Sequence, residues 1–502
     1  MEQYIPISGG TYIHPDKGVS RQLCQNLYPS NVEGGGKVER VLIPSEGYST
    51  WRTMPDNGST LKKIRCIHYS STGVNGEQTV YVATANAVYR VTASTTLNGG
   101  IFKCGDIPEG SSNIYMNDNG FDLLIVDGAL AYSVSLTAPH LTVASTWRVV
   151  PLPTISGIPI KPSRVVFSAQ RFFIDSGKNQ IFYSDLASTT FQQESFVSAE
   201  SNADYILSMI LVSDNILVLG SRSFEYWSID GEPLQYINGS PSEIGIMAKD
   251  SLASIGDFAY WLASSDSGRF SVMSSKGGSP IRISDDGIET VIEGLLQPSG
   301  ATGFCFYNKG HLFYVLNFVV DKVTLVYDAS TQQWHSRVNI HQDTGMTLSW
   351  QPSCITSAYN GILLAGSGDT HELFVVSSNI KKHGEQNIVR KWVTPIIWDN
   401  LGRFQVRSLQ MDISSGTTIY TVDNGEGNVE PKVLCRFSVD NGYTFNDQTE
   451  RSLGKMGYYG AQPPLWINLG IFRALVGEFI ISSDVSFSIR GLKMIHEKAG
   501  GI

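Results

Sequence analysis

The chain has 502 residues, 42% hydrophobic and 17% charged, with 49 glycines, 11% aromatics and a formal net charge of −9. That length and apolar content suffice for two or three cored domains, and the glycines and aromatics suit an all-β chain with many turns. The acid excess argues against a protein whose main task is gripping nucleic acid backbone, which needs a concentrated basic face.

Residues 1–60 read as extended and irregular, punctuated by Pro6, Pro15, Pro29, Pro44 and Pro55 and by the run Gly34-Gly-Gly36. The opening Met1-Glu-Gln-Tyr-Ile5 lacks the basic and apolar regions of a signal peptide. Gly34-Gly-Gly-Lys37 superficially suggests a phosphate loop. It lacks the second glycine spacing, the Ser or Thr after the lysine, and a following helix.

From residue 61 to residue 380 a β-hairpin pattern returns about every 45–50 residues, the period of a β-propeller blade. One unit runs Thr79-Val-Tyr-Val-Ala-Thr84, then Ala87-Val-Tyr-Arg-Val91. The next places Asp127-Gly128 between two apolar runs, a turn that needs positive φ. Further units centre on Arg171 to Ser184, Ile216 to Trp227, Phe258 to Val272, His311 to Tyr327 and Gly361 to Val376. The expected fold is therefore all-β, a propeller of six or seven blades. Most blades read as a buried inner strand followed by one of mixed polarity, and the closing blade often borrows a strand from the other end of the array. Helical periodicity is nearly absent. The longest apolar stretch, His311 to Val320, is too short to span a bilayer and is broken by Asn317, so no integral membrane segment is expected.

Ser377 to Gly384 reads as a polar connector, after which the rhythm is lost. Residues 381–502 carry strand patterns at Val389–Trp398, Phe404–Ile413, Pro431–Val439, Leu465–Phe472 and Phe479–Ile489. Together they predict a smaller, β-sandwich-like assembly domain.

Candidate chemistry is sparse. The six cysteines (Cys24, Cys66, Cys104, Cys305, Cys354 and Cys435) form no C-x-x-C pair and read as reduced, mostly buried thiols. Ser438-Val-Asp440-Asn-Gly442-Tyr-Thr444-Phe445 resembles the Asp-box hairpin of sialidases. It occurs once and outside the propeller, so it reads as a structural turn with its aromatic plugging the core. Asp285-Asp286-Gly287 also reads as a turn rather than as a glycosidase pair. The nine histidines do not cluster: His335 and His341 are six apart, and His371-Glu372 reads as a surface turn. Lys62, Lys63 and Arg65, and likewise Lys381 and Lys382, read as solvated surface. No G-x-S-x-G elbow is present. No catalytic, cofactor-binding or metal-binding residue is expected, and no cofactor.

Several segments, in order, resemble the tail hub or nozzle (packaged-DNA stabilisation) proteins of short-tailed bacteriophages. They are Cys24-Gln-Asn-Leu-Tyr-Pro29, Val41 to Pro44, Glu46-Gly-Tyr48, Gly220-Ser-Arg-Ser-Phe-Glu-Tyr-Trp227, Ser251 to Trp261, Ser279 to Ser284, Leu325 to Asp328 with Gln333-Trp334, and the Ser438 to Phe445 hairpin followed by Leu453-Gly454, Trp466 to Gly470 and Arg473. Ser45-Glu46-Gly47 departs from the more usual Pro-Gly.

The resemblance implies a non-enzymatic virion protein, made in the host bacterial cytoplasm and placed in the tail. It implies a ring of itself, usually of six copies, below the portal and its adaptor protein. The partners so implied are that adaptor, tail fibres or tailspikes, a tail tip or needle protein, and packaged double-stranded DNA passing with weak contacts. From its composition, the 1–60 region is expected to reach a neighbouring subunit. Two other readings remain: a glycan-degrading propeller enzyme, marked by three or more acidic or Arg side chains at the propeller mouth, and a non-catalytic binding propeller.

Overall fold

A computed structural model describes the chain except for residues 17, 35, 200–203, 231–233, 238–243, 265–268, 342, 401, 415–430, 455–462 and 500–502. Seven four-stranded antiparallel blades form a propeller. Their innermost strands are Cys66–Ser70, Tyr115–Asp118, Val165–Ser168, Ile206–Val212, Ala253–Ile255, Thr302–Asn308 and Pro352–Ala358. Each touches the next around a closed circle, the last returning to the first. We number the blades 1 to 7 in that order.

The most apolar strand of most blades is not the innermost one. In blade 1 Thr79–Ala83 and Ala87–Thr92 are buried throughout, whereas Cys66–Ser70 alternates. Middle strands are covered by blades on both sides and the innermost strand lies against the axis, so the expectation of a buried inner strand shifts one strand outward. Between each pair of neighbouring blades lies an apolar cluster, such as Tyr260, Leu262, Tyr314 and Tyr327 between blades 5 and 6. Burying one such side chain contributes about 1.5–3 kcal/mol, so the blade seams hold the ring together.

The ring closes through the chain start. Gly47–Thr53 is the outermost strand of blade 7, antiparallel to Glu372–Ser377 from Gly47↔Ser377 to Thr53↔Glu372. The rest of the N-terminal segment is not an irregular arm. Glu2–Pro6 pairs with Ile489–Lys498, Arg21–Gln25 pairs with Arg390–Val393, and Leu27–Asn31 forms a hairpin with Arg40–Pro44. These strands complete a sandwich with the C-terminal strands. One sheet runs Leu27–Asn31, Arg40–Pro44, Ile489–Lys498, Phe404–Ile413, Leu465–Phe472. The other runs Arg21–Gln25, Arg390–Val393, Ala474–Ile481, Lys432–Ser438, Thr449–Ser452, and it continues into blade 6 through a parallel Gln25↔Ser336 pair.

The Phe404–Ile413 and Leu465–Phe472 strands lie at the bounds read from sequence. The Phe479–Ile489 pattern instead spans the end of Ala474–Ile481 and a loop before Ile489–Lys498. The Ser377–Gly384 connector contains Lys382–His383, which pairs in parallel with Gly47–Thr53. Among the described residues the single α-helix is Asp286–Glu293. The Asp285 carboxylate caps it, accepting from the Ile288 amide at 2.8 Å. The Asp-Asp-Gly turn is thus the start of a helix.

Candidate functional site

The propeller axis is the first place to look for a site. There, residues just before or within the innermost strands of different blades converge. The Tyr115 hydroxyl of blade 2 donates to Asp250 Oδ1 at 2.8 Å, just ahead of blade 5. Arg164, preceding blade 3, lies over the Tyr115 ring at 3.6 Å, donates to the Lys249 carbonyl at 2.5 Å and stands 4.0 Å from Asp250. Lys63 joins from ahead of blade 1, donating to the Ser111 carbonyl at 2.8 Å, and burial lowers its ammonium pKa. The bond from blade 2 to blade 5 crosses the hole. Among the described residues of this cluster the one acid, Asp250, is matched by Arg164.

The second convergence is the seam where blade 6, blade 7 and the N-terminal strands meet. Glu46 and Arg337 are fully buried and paired at 2.6 Å. The guanidinium is caged by the rings of Phe306, Phe313 and Trp350 at 5.4, 4.9 and 4.7 Å, and Asn308 donates to the other Glu46 oxygen at 2.5 Å. Asn26, left-handed at φ 53°, accepts from the Val338 amide and donates to the Val338 and Val389 carbonyls. It therefore ties the chain start to the exit of blade 6 and the entry of the sandwich.

Nearby, the Ser30 hydroxyl lies 3.1 Å from His311 Nε2, and His311 Nδ1 lies 2.7 Å from Asp328 Oδ2. The order is that of an acyl-transfer triad. Here the imidazole is stacked on Phe313 and met edge-on by Tyr28, and the bonds seat the Leu27–Asn31 hairpin on blade 6.

His383 stacks on Tyr48 at 4.8 Å with 10° between ring planes. Burial, and then the Arg390 guanidinium, lower its pKa from 6.5 to about 3. An unfolded chain takes up a proton below about pH 6.5 that the folded chain refuses until about pH 3, so stability falls as pH drops through that window. His383→Phe keeps the stack. It is expected to abolish about 2 kcal/mol of the stability loss between pH 7 and pH 5, seen as a smaller drop in Tm than in the parent protein.

The remaining sequence candidates are structural. In the Asp-box-like hairpin, Ser438 Oγ accepts from the Gly442 amide at 2.7 Å and donates to Asp440, whose carboxylate takes the Thr444 amide and hydroxyl. Those bonds, that from Ser438 foremost, lower the Asp440 pKa. Phe445 does not plug a core. It is half-buried, with Arg436 over its ring at 4.9 Å. Arg65 is not solvated either: it is buried and donates to the carbonyls of Ala85, Pro108 and Ser112, clamping blade 1 to the start of blade 2. His371 is also buried, bonded to the Leu61 carbonyl at 3.0 Å, in place of a surface turn. His335 is buried beside Arg337 while His341 is exposed. All six cysteines are free, with Cys24, Cys104 and Cys435 buried. Gly35 of the glycine run lies outside the described residues. Sequence reasoning missed Tyr115, Arg164 and Asp250, which are far apart in the chain and meet only when the ring closes.

Residues 44–380 match the family model described as Phage_stabilise: Bacteriophage P22 Gp10, beta-propeller. The chain belongs to the phage-stabilisation family. This phage-stabilisation protein is thus a phage structural protein built on a β-propeller. The match starts at Pro44, just before the strand that closes blade 7, and stops at Ile380, just after that blade.

No curated protein matches the chain. Solved structures similar to it include the computationally designed Ika8 protein (12% identity, 75% of this chain and 100% of that one, TM-score 0.37). The RRP9 WD40 repeats (13% identity, 66% and 99%, TM-score 0.40) and the WD40 propeller domain of Doa1 (12% identity, 66% and 97%, TM-score 0.38) are others. Among the described residues of the phage-stabilisation protein, no helix is long and apolar enough to cross a membrane.

Proposed function

We propose that this chain is the hub, or nozzle, subunit of a short phage tail. It forms a ring below the portal and its adaptor protein, retains packaged DNA, and anchors tail fibres or tailspikes and a tip or needle protein. The observation that carries this reading is the family match over residues 44–380. The blocked propeller axis supports a DNA channel formed between subunits: a 2.8 Å hydrogen bond across the hole leaves no room for a duplex. The net charge of −9 is in keeping with weak contacts to the passing DNA.

A closed ring needs two different faces that meet around the axis. One candidate is the outer face of the sandwich. Among the described residues Leu465–Phe472 is the last strand of its sheet, and it turns Leu465, Ile467 and Ile471 outward. Ile495 lies across Ser408 from Ile467, and Tyr4 lies on the same face, opposite Lys493. An exposed apolar edge strand of this length invites pairing. The double change Ile467→Asp with Ile471→Asp is expected to leave a folded monomer where the parent protein forms rings, as read by light scattering and electron microscopy.

The reading as a whole is tested by adding purified protein to phage particles that lack it. A ring at the portal vertex and retained DNA are the expected result. Unchanged particles, with cleavage of a glycan panel instead, would replace this reading with the enzyme one.

A further inference from the structure

On the propeller face that carries the first and last turns of each blade, blades 5 and 6 are separated by a groove of about 450 Å³. Its walls include Phe258, Tyr260, Ile281, Tyr307, Tyr327 and Gln332. A volume of this size, apolar and aromatic with a few polar groups, is that of a ligand site. Two rings stand open to solvent at its sides, Tyr307 at 54% exposure and Phe258 at 38%. Phe258 has firm support: it stacks on Tyr260, and Tyr260 stacks on Tyr314 at 5.2 Å. The Tyr314 hydroxyl is bonded to the Ser251 carbonyl at 2.8 Å.

Among the described residues no charged side chain lines the groove. At its rim Lys276, over the Phe258 ring at 5.3 Å, is matched by Asp257 at 3.3 Å. At Gln332 the groove adjoins a second hollow of about 270 Å³, walled by Gly9, Gly10, Gln22 and Gln333. Gln22 is tied to the Gly9 and Gly10 carbonyls at 2.7 Å each, and Gln333 accepts the Gly10 amide. A side chain at Gly10 would strike the Trp334 carbonyl, its Cβ falling 2.0 Å from that oxygen. The glycine therefore keeps this bend of the chain against blade 6 and the hollow open. Asp285, the one acid there, is engaged in capping its helix.

We propose that this groove binds a neutral saccharide chain, one sugar ring lying across Tyr307 and Phe258 and the next reaching the hollow beyond Gln332. A sugar ring has an apolar C–H face, drawn to the negative face of an aromatic ring, and a rim of hydroxyls. Ser274, Ser330 and Gln332 supply hydroxyls and an amide that both donate and accept, as sugar hydroxyls do. An acidic polysaccharide or a nucleic acid would find no charged partner in the described lining, and Lys276 at the rim is already matched by Asp257.

The test uses the full chain, with neutral hexasaccharides of α-glucan, β-glucan, mannan and galactan, an acidic hexagalacturonate, and a decaproline peptide, each titrated by calorimetry. At least one neutral sugar is expected to bind. Tyr307→Ala and Phe258→Ala are each expected to weaken that binding about tenfold or more. Phe121→Ala, on an exposed ring of blade 2, should leave it unchanged. Both groove residues are solvent-exposed, so melting temperatures matching the parent protein will separate lost binding from lost fold. Three results would overturn the proposal: no neutral sugar binds, binding survives Tyr307→Ala, or the decaproline peptide occupies the groove in preference to every sugar.

Discussion

A chain lacking residues 1–53 is expected to be insoluble or unfolded, although the family match leaves the first 43 of those residues outside it. The deletion removes the outer strand of blade 7, which runs antiparallel to Glu372–Ser377 from Gly47 to Thr53. It strips Glu2–Pro6, Leu27–Asn31 and Arg40–Pro44 from one sandwich sheet and Arg21–Gln25 from the other. The buried Leu27, Tyr28, Leu42 and Tyr48 go with them. At about 1.5–3 kcal/mol for each buried apolar side chain, the loss approaches the total stability of a typical protein, about 5–15 kcal/mol. Circular dichroism and thermal melting of the truncated chain provide the measurement. A soluble product with a cooperative transition near that of the parent would mean that the N-terminal strands are dispensable for folding.

The second large effect is expected at Glu46. Glu46→Ala leaves the Arg337 guanidinium buried at 0% exposure among Phe306, Phe313 and Trp350 with its countercharge gone. Breaking a buried pair from one side costs about 3–5 kcal/mol. Glu46→Leu with Arg337→Met removes both charges and is expected to recover most of that loss, because two buried ions attract each other only about enough to offset their dehydration. Denaturant melts of Glu46→Leu, Arg337→Met and their double variant measure the coupling. If Glu46→Ala lost less than about 1 kcal/mol, water would be reaching the pair and the seam would not be sealed.

Much of the propeller was legible before folding. The Asp127-Gly128 hairpin of blade 2 and the branched and aromatic runs that return with each blade come from local rules of turn geometry and strand packing. The innermost strands were harder to see: Tyr115–Asp118 and Cys66–Ser70 alternate weakly because one edge faces a polar axis. The N-terminal strands were misread for a related reason. Their prolines and short lengths suggest irregular chain, and several of their partners lie more than 300 residues away, as in Tyr48↔Val376 and Gln3↔Met494. The Glu46-Gly-Tyr48 segment could be picked out as characteristic, yet nothing local says that Glu46 meets Arg337. Gly47 sits where a Cβ would fall 2.4 Å from the Lys382 carbonyl, a closeness that exists only once blade 7 is complete.

Read alone, the sequence determined the all-β class, the blade period, the separate C-terminal strands and the family resemblance, because these are carried by short local patterns and by their order along the chain. Tertiary structure alone decided the count of seven, the joining of the chain start to blade 7 and to the sandwich, the Tyr115–Asp250 bond across the axis and the groove between blades 5 and 6. These depend on pairs of residues far apart in the chain, where cost and gain are set by the closure of the ring rather than by the preferences of either segment.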